Sequence, residues 1–252
     1  MILQASLFLV ALLNFTRPIE IVESHSGLNG VDCIYVINLE ERLERWERTK
    51  KCFESQGLHV NRVSAVNGWK LTPMQKAELA GPYPIRIPAG AIGCLLSHVS
   101  VYKDALEREW NRIWVVEDDV EFKEGVAQVS AVIDRLERID PHWDVLYTDY
   151  KPHGIDAQDP RPYQRFYQPR WMQLNEDLMS IHGRHETHSM LISRNGLSKL
   201  LHYFARVHVW SPLDIDIHYV PTLREYCTTR DVVTEVSQSH SDTASSSELN
   251  VE

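Results

Sequence analysis

Apolar positions along the chain alternate between short runs and helical stripes, and their order predicts an α/β fold. Cys33-Ile34-Tyr35-Val36-Ile37 is an apolar run rich in strand formers. The charged stretch 40–56 follows, where Leu43, Trp46 and Phe53 form a stripe at helical spacing and Gly57 supplies a stop. Residues 60–66 alternate like a half-buried strand and end at Asn67-Gly68, so the first third reads strand, helix, strand, with the strands parallel. Thr72-Pro73 opens a short helix, with a capping residue and proline at the first position. From Ala89 the pattern is helical again, with Ile92, Leu95, Leu96, Val99, Tyr102 and Leu106 on one stripe. Val126, Val129, Ile133 and Leu136 mark an amphipathic helix, residues 143–147 a strand, Ser189-Met190-Leu191-Ile192 another strand, and residues 193–204 a helix.

The ends and one internal stretch stand outside this alternation. Residues 1–15 are an apolar block, about as long as the core of a signal peptide and too short to span a bilayer comfortably. The block lacks a basic start and a clear cleavage site, and it reads equally as a monotopic membrane anchor, which leaves the location cytoplasmic or membrane-associated with export open. Residues 20–30 read as a linker, so the expected organisation is an N-terminal apolar segment and linker over 1–30, one domain over 31–242, and a disordered polar tail over 243–252. Residues 151–180, rich in Pro, Tyr, Gln and Asp, are too long for a simple connection. They form either a substrate loop or a disordered insertion, and Tyr163, Phe166, Tyr167 and Trp171 favour the loop, because sugars present C–H faces that stack on rings.

Composition narrows the partners. A length of 252 residues suits one large domain, and a net charge of -9 without a sustained Lys/Arg stripe argues against a nucleic acid. An anionic substrate therefore needs a local basic site or a metal. The four cysteines, Cys33, Cys52, Cys94 and Cys227, have neither zinc-site nor disulfide-framework spacing, and Cys33 and Cys94 read as buried thiols.

The sharpest chemistry lies in residues 113–122, an apolar run that meets Glu117-Asp118-Asp119. Three adjacent carboxylates repel one another, and strand alternation places Glu117 and Asp119 on one face, with Asp118 pointing away or bending in. That pair suits Mg²⁺ or Mn²⁺, hard cations that take oxygen ligands; the competing reading is a solvated acidic turn. Gly90-Ala91-Ile92-Gly93-Cys94-Leu95-Leu96-Ser97-His98 offers two glycines beside a helix start, which suits either backbone contact with an anion, aided by Ser97 and His98, or tight helix packing. His182, His185 and His188 lack the spacing of a zinc enzyme. Pro212-Leu213-Asp214-Ile215-Asp216 places two acids on one face after a proline-fixed turn, as catalytic groups or as loop caps.

Taken together, several segments resemble glycosyltransferase family 25, of the bacterial lipooligosaccharide and animal collagen galactosyltransferase kind. The matching pieces are Tyr35-Val36-Ile37-Asn38-Leu39 with Arg42 and Arg45, Ala65-Val66-Asn67-Gly68, Gly90-Ala91-Ile92-Gly93-Cys94 with Ser97-His98, and Val116-Glu117-Asp118-Asp119. Later come Trp143-Asp144-Val145-Leu146, Thr187-His188-Ser189-Met190-Leu191-Ile192-Ser193-Arg194 with Gly196, and Pro212-Leu213-Asp214. Asn67 stands where Asp is common and Met190 where an aromatic is common. The resemblance implies a GT-A type, Rossmann-like fold with a mixed, mainly parallel sheet, a UDP-hexose donor, and a saccharide, lipooligosaccharide or glycoprotein acceptor. It further implies Mn²⁺ (or Mg²⁺) held by the acidic motif Glu117, Asp118 and Asp119. Asn38, Arg42, Arg45, Gly93, Ser97, His98 and Asp118 become candidate donor-binding residues, and Asp214, with Asp216 as the substitute, the candidate base.

Two rivals remain at the level of sequence. A metal-dependent phosphohydrolase or receiver-like domain would use Thr148 and Lys151 beside the acids, whereas a non-catalytic carbohydrate-binding protein would keep the aromatic loop and need neither Glu117 nor Asp119.

Overall fold

A computed structural model describes residues 12–79, 87–150 and 170–236. The elements run β1 (Cys33–Asn38), α1 (Leu43–Glu54), β2 (Asn61–Ser64), α2 (Pro73–Leu79), α3 (Ala89–Glu107), β3 (Arg112–Glu117), β4 (Val120–Phe122) and α4 (Val126–Ile139). They continue with β5 (Val145–Tyr147), β6 (Arg170–Gln173), β7 (Leu178–His182), β8 (Ser189–Ser193), α5 (Arg194–Phe204), α6 (Leu213–Asp216), β9 (Glu225–Thr228) and β10 (Val233–Glu235). Eight strands form one sheet in the order β2-β1-β3-β8-β5-β9-β7-β6. Following the pairings across it, β7 and β8 run opposite to the other six. The α/β class and the mixed, mainly parallel sheet are as expected.

Strand alternation covers this sheet on both faces. Tyr35, Ile37, Ile113 and Val115 point into one apolar cluster with Leu95, Leu96 and Val99 of α3 and Leu197 and Leu200 of α5. Ile34, Val36, Trp114 and Val116 point the other way, onto Phe53 of α1 and Val129, Ile133 and Leu136 of α4. Burial on both faces explains why these strands read as continuous apolar runs. The chain thus steps from β1 to β2 on one side and, through α3 on the opposite face, to β3 on the other, so the crevice between β1 and β3 is a topological switch point, where open α/β sheets bind ligands at their carboxyl ends.

Several local expectations hold for the reasons given. Thr72 caps α2, its hydroxyl accepting the Gln75 N–H at 3.2 Å while the Gln75 carboxamide oxygen accepts the Thr72 N–H at 2.9 Å. The helix expected over 193–204 is α5, and Ser193 stands just outside it as the cap, accepting the Gly196 N–H at 3.2 Å.

Other expectations are corrected. The apolar stripe of α1 is incomplete, since Leu43 is exposed, and the buried face carries Thr49 as well as Phe53. Residues 20–30 are no linker: the Asn61 side-chain oxygen accepts the N–H groups of Val22 and Glu23, both at 2.8 Å, and Ser26 is buried. Leu12 and Ile19 also enter the core, so the apolar block ends inside the domain. Within 113–122 there are two strands, because β4 leaves the main sheet to pair antiparallel with β10. Of the long loop 151–180, residues 170–173 and 178–182 form an antiparallel hairpin at the sheet edge; Trp171 is exposed there, and Tyr163, Phe166 and Tyr167 lie outside the described residues, as do residues 243–252. No helix among the described residues is long and apolar enough to cross a membrane.

Candidate active site

The alternation along β3 decides where the acids go. Glu117 follows Ile113 and Val115 onto the α3 face, and Asp118 follows Trp114 and Val116 onto the α1 face. The strand ends at Glu117, and a turn carries Asp118 and Asp119. All three acids line one open cleft. Of the two alternatives for Asp118, the second holds: the turn bends it in to the same opening. The rest of the wall includes Leu39 after β1, Ala65, Val66 and Asn67 after β2, Trp69, Arg45 of α1, and Gly90, Cys94 and Ser97 of α3.

Asp118 is tied down by the α1 side. Its carboxylate accepts the Asn38 side-chain N–H at 2.6 Å and an Arg45 N–H at 3.3 Å, while its backbone carbonyl accepts from Arg48 at 2.9 Å and the Thr49 hydroxyl at 2.8 Å. Asn38 also donates to the Arg42 carbonyl at 2.9 Å and accepts from Arg62 at 2.8 Å, so its amide is saturated by the protein and acts on the site through Asp118. Burial raises the Asp118 carboxyl, against the lowering pull of Asn38 and Arg45.

Glu117 meets a different set. It accepts the Thr187 hydroxyl at 3.2 Å and lies 3.5 Å from Nε2 of His98. Burial opposes its ionisation, but His98 and the charge of His188 outweigh it, and the carboxyl stays below its usual value. Asp119 goes the other way: burial first, then the charges of Glu117 and Asp118, push it up to about 6. A carboxylate raised by its own neighbours beside an open cleft is an excess of negative charge that a divalent cation would relieve. Glu117 and Asp119 fit that cation, and Asp118, anchored through Asn38 and Arg45, serves to hold the turn.

The remaining candidates divide. Gly93 is a packing residue: a Cβ there would lie 2.3 Å from the Val66 carbonyl oxygen and 2.6 Å from the Gly68 nitrogen. It also sits inside α3, where backbone N–H groups belong to the helical ladder rather than to an anion. Ser97 likewise works within the scaffold, donating to the Gly93 carbonyl at 2.7 Å and accepting the Val66 N–H at 2.8 Å, although it borders the cleft. His98 is fully buried behind Glu117, out of a donor's reach. Cys33 is buried as expected, whereas Cys94, expected to be buried, is half-buried in the cleft wall.

Asp214 and Asp216 do not share a face. Residues 213–216 form a helical turn, which sets positions two apart on opposite sides, and the two acids part accordingly. Asp216 is buried, its Oδ1 accepting the Tyr203 hydroxyl at 2.8 Å and the Trp210 N–H at 2.7 Å, and burial pushes it up to about 7. That cage makes Asp216 a structural acid. Asp214 remains partly exposed, accepts the Glu186 N–H at 3.1 Å and lies 3.6 Å from His185. Its charge also reaches the Cys94 thiol in the cleft wall, together with those of Glu117 and Asp119.

Sequence reasoning missed a second cluster on the same sheet edge. Asp149, one residue beyond Thr148 after β5, is buried against Arg184 at 2.9 Å and His188 at 3.2 Å, and His188 lies 3.3 Å from Glu186. Burial opposes the His188 charge, but its two carboxylates carry it up to about 9. No local signal joins Asp149 to Arg184; tertiary pairing alone does. Thr148, offered by the phosphohydrolase reading, shares a hydrogen bond with the Ser189 hydroxyl at 2.7 Å and donates to the Val233 carbonyl at 3.0 Å, so its hydroxyl serves the sheet; Lys151 lies outside the described residues.

With this geometry in view, the similarities to known proteins become specific. Residues 31–217 match the model of glycosyltransferase family 25 (LPS biosynthesis protein). The chain belongs to glycosyltransferase family 25. Among its relatives are human procollagen galactosyltransferase 2, 30% identical over 146 residues that cover 54% of this chain and 23% of that protein, and an Aedes aegypti glycosyltransferase 25 family member, 31% identical over 182 residues, 68% of this chain and 28% of that protein. The human inactive glycosyltransferase 25 family member 3 is 30% identical over 132 residues, 48% of this chain and 22% of that protein. The matched part therefore spans about a quarter of the length of these relatives. Membership of family 25 runs alongside an inactive relative, so activity has to be argued from the site.

Proposed function

We propose that this family 25 chain transfers a hexose, galactose or glucose, from a UDP-sugar to a hydroxyl of a saccharide or glycoconjugate acceptor, a lipooligosaccharide or a glycoprotein. The observation that carries the reading is the acidic turn itself: Glu117 and Asp119 converge on a cleft at the β1/β3 switch point, where burial and the charges of Glu117 and Asp118 push Asp119 up. Both residues are oxygen donors, the choice of Mn²⁺ or Mg²⁺. When bound, such an ion offsets the negative charge that develops on the departing diphosphate.

The chain's own residues supply the rest. Arg45 and Asn38 fix Asp118 and with it the turn, while Thr187 and His98 orient Glu117. Asp214 is the carboxylate proposed to take the proton of the acceptor hydroxyl, and the Glu186 N–H holds its Oδ2, aiming the other oxygen. The reading is tested by measuring UDP affinity with Mn²⁺ and with a chelator. Tighter binding in Mn²⁺ is expected, because the acids otherwise repel a diphosphate; equal affinity overturns the metal-dependent donor site.

A further inference from the structure

We propose that Cys94, His98 and Glu117 form a second kind of metal site, one that binds a zinc-class cation and excludes the oxygen-loving ion from the same cleft. Cys94 Sγ, a ring nitrogen of His98 and a carboxylate oxygen of Glu117 lie within 4.8 Å of one another. A thiol, an imidazole and a carboxylate are the ligand types of Zn²⁺, and the thiol in particular disfavours Mg²⁺ and Mn²⁺.

The imidazole gives independent support. His98 is 0% exposed, and its Nε2 has no hydrogen-bond partner among the described residues, facing Glu117 Oε1 across 3.5 Å. That gap exceeds the roughly 2.7–2.9 Å of a charge-assisted hydrogen bond. It equals, within about 0.2 Å, the separation of two ligands each about 2.0–2.1 Å from a tetrahedral centre. Seating the sulfur at its own bond length of about 2.3 Å takes about an ångström of movement by one short side chain.

The surroundings favour loading as well. Tyr102 faces the other ring nitrogen, its hydroxyl 3.5 Å from Nδ1, on the side where metal-bound histidines carry an outer-shell partner. Thr187 donates to Glu117 at 3.2 Å and reaches the Cys94 sulfur. Cys94 and Glu117 both line the open cleft, which provides an entry path and leaves a fourth position for water. Glu117 belongs to both arrangements, so a zinc ion here withdraws it from its partnership with Asp119. That consequence rests on the donor-site reading above, whereas the zinc site stands without it.

The experiment titrates the intact chain with Zn²⁺ alone against a chromophoric chelator, and with Co²⁺ alone while recording the near-ultraviolet thiolate-to-cobalt band. Wild type and Asp119→Asn should each bind one ion with similar affinity, and Cys94→Ser, checked for an unchanged melting temperature, should bind at least tenfold more weakly and lack the band. Absence of the band in wild type overturns the site without any variant. Equal zinc affinity in wild type and Cys94→Ser overturns it too, as does a loss in Asp119→Asn as large as that in Cys94→Ser. Equal UDP affinity with Mn²⁺ and with a chelator would instead sink the donor-site reading and leave these zinc results in place.

Discussion

Two acidic clusters lie beyond the carboxyl ends of β3 and β5, on either side of β8, and reach opposite electrostatic outcomes. After β3, Glu117, Asp118 and Asp119 crowd a cleft, and Asp119 is pushed up to about 6 by burial and by the other two. After β5, Asp149 is buried more deeply, yet Arg184 and the charged His188 outweigh that burial and hold it well below the usual carboxylate range. The residue types overlap, and Asp149, Glu186 and His188 have even the spacing of a metal site. What separates the clusters is compensation: the second carries its own buried guanidinium, stacked 4.3 Å over the Tyr147 ring, and needs no ion. Charge balance, rather than the number of acids, separates the proposed cation site from the cluster that neutralises itself.

The strongest way to break this comparison is Asp119→Asn. It removes a proposed ligand and relieves repulsion at once, so metal-dependent UDP affinity and transfer should both be lost while the melting temperature holds or rises. Near-wild-type turnover would show that the β3 turn is not the cation site.

Asp214 sharpens the division from the side of the chemistry. Asp214→Asn should slow transfer by about two to four orders of magnitude, the range of a positioned base, with UDP affinity nearly unchanged. A fall in UDP affinity would move Asp214 into the donor site, and normal transfer would remove it from the reaction.

The compensated cluster predicts loss of stability. Arg184→Met strips Asp149 of its buried partner and should cost about 3–5 kcal/mol, the range for breaking a buried pair from one side. Denaturant unfolding measures it; a loss below about 1 kcal/mol would mean that the cluster is as open to solvent as the β3 turn.

The smallest effect concerns Asp216. Burial pushes its folded carboxyl up to about 7 from the ordinary 3.8, so the folded chain binds more protons than the unfolded chain between those values. The caged acid therefore favours the fold below pH 3.8 and costs stability as pH rises toward about 7, with a slope approaching about 1.4 kcal/mol per pH unit inside that window. Asp216→Asn, which keeps an oxygen for Tyr203 and Trp210, should flatten the difference in melting temperature between pH 5 and pH 7 relative to wild type. An unchanged pH dependence would show that Asp216 stays ionised.

The sequence by itself determined the α/β class, the first strand-helix-strand unit, the cap at Thr72, and the acidic turn, because each is written in local periodicity or in adjacent residues. It could not decide which acids are compensated. Arg184 and Asp149 are 35 positions apart, and Cys94, His98, Glu117 and Thr187 come from three separate segments that meet only when α3 crosses the face of the sheet. Asp214 and Asp216 show the limit within four residues: a strand would place them side by side, whereas the helical turn sends them apart and leads Asp216 into the cage of Tyr203 and Trp210. Gly93 shows it for a glycine, whose missing side chain makes room for the backbone at Gly68, a contact that exists only once the helix has docked. Local pattern fixes elements because it needs only neighbours in sequence; electrostatic role depends on burial and on distant partners, which the tertiary structure alone supplies.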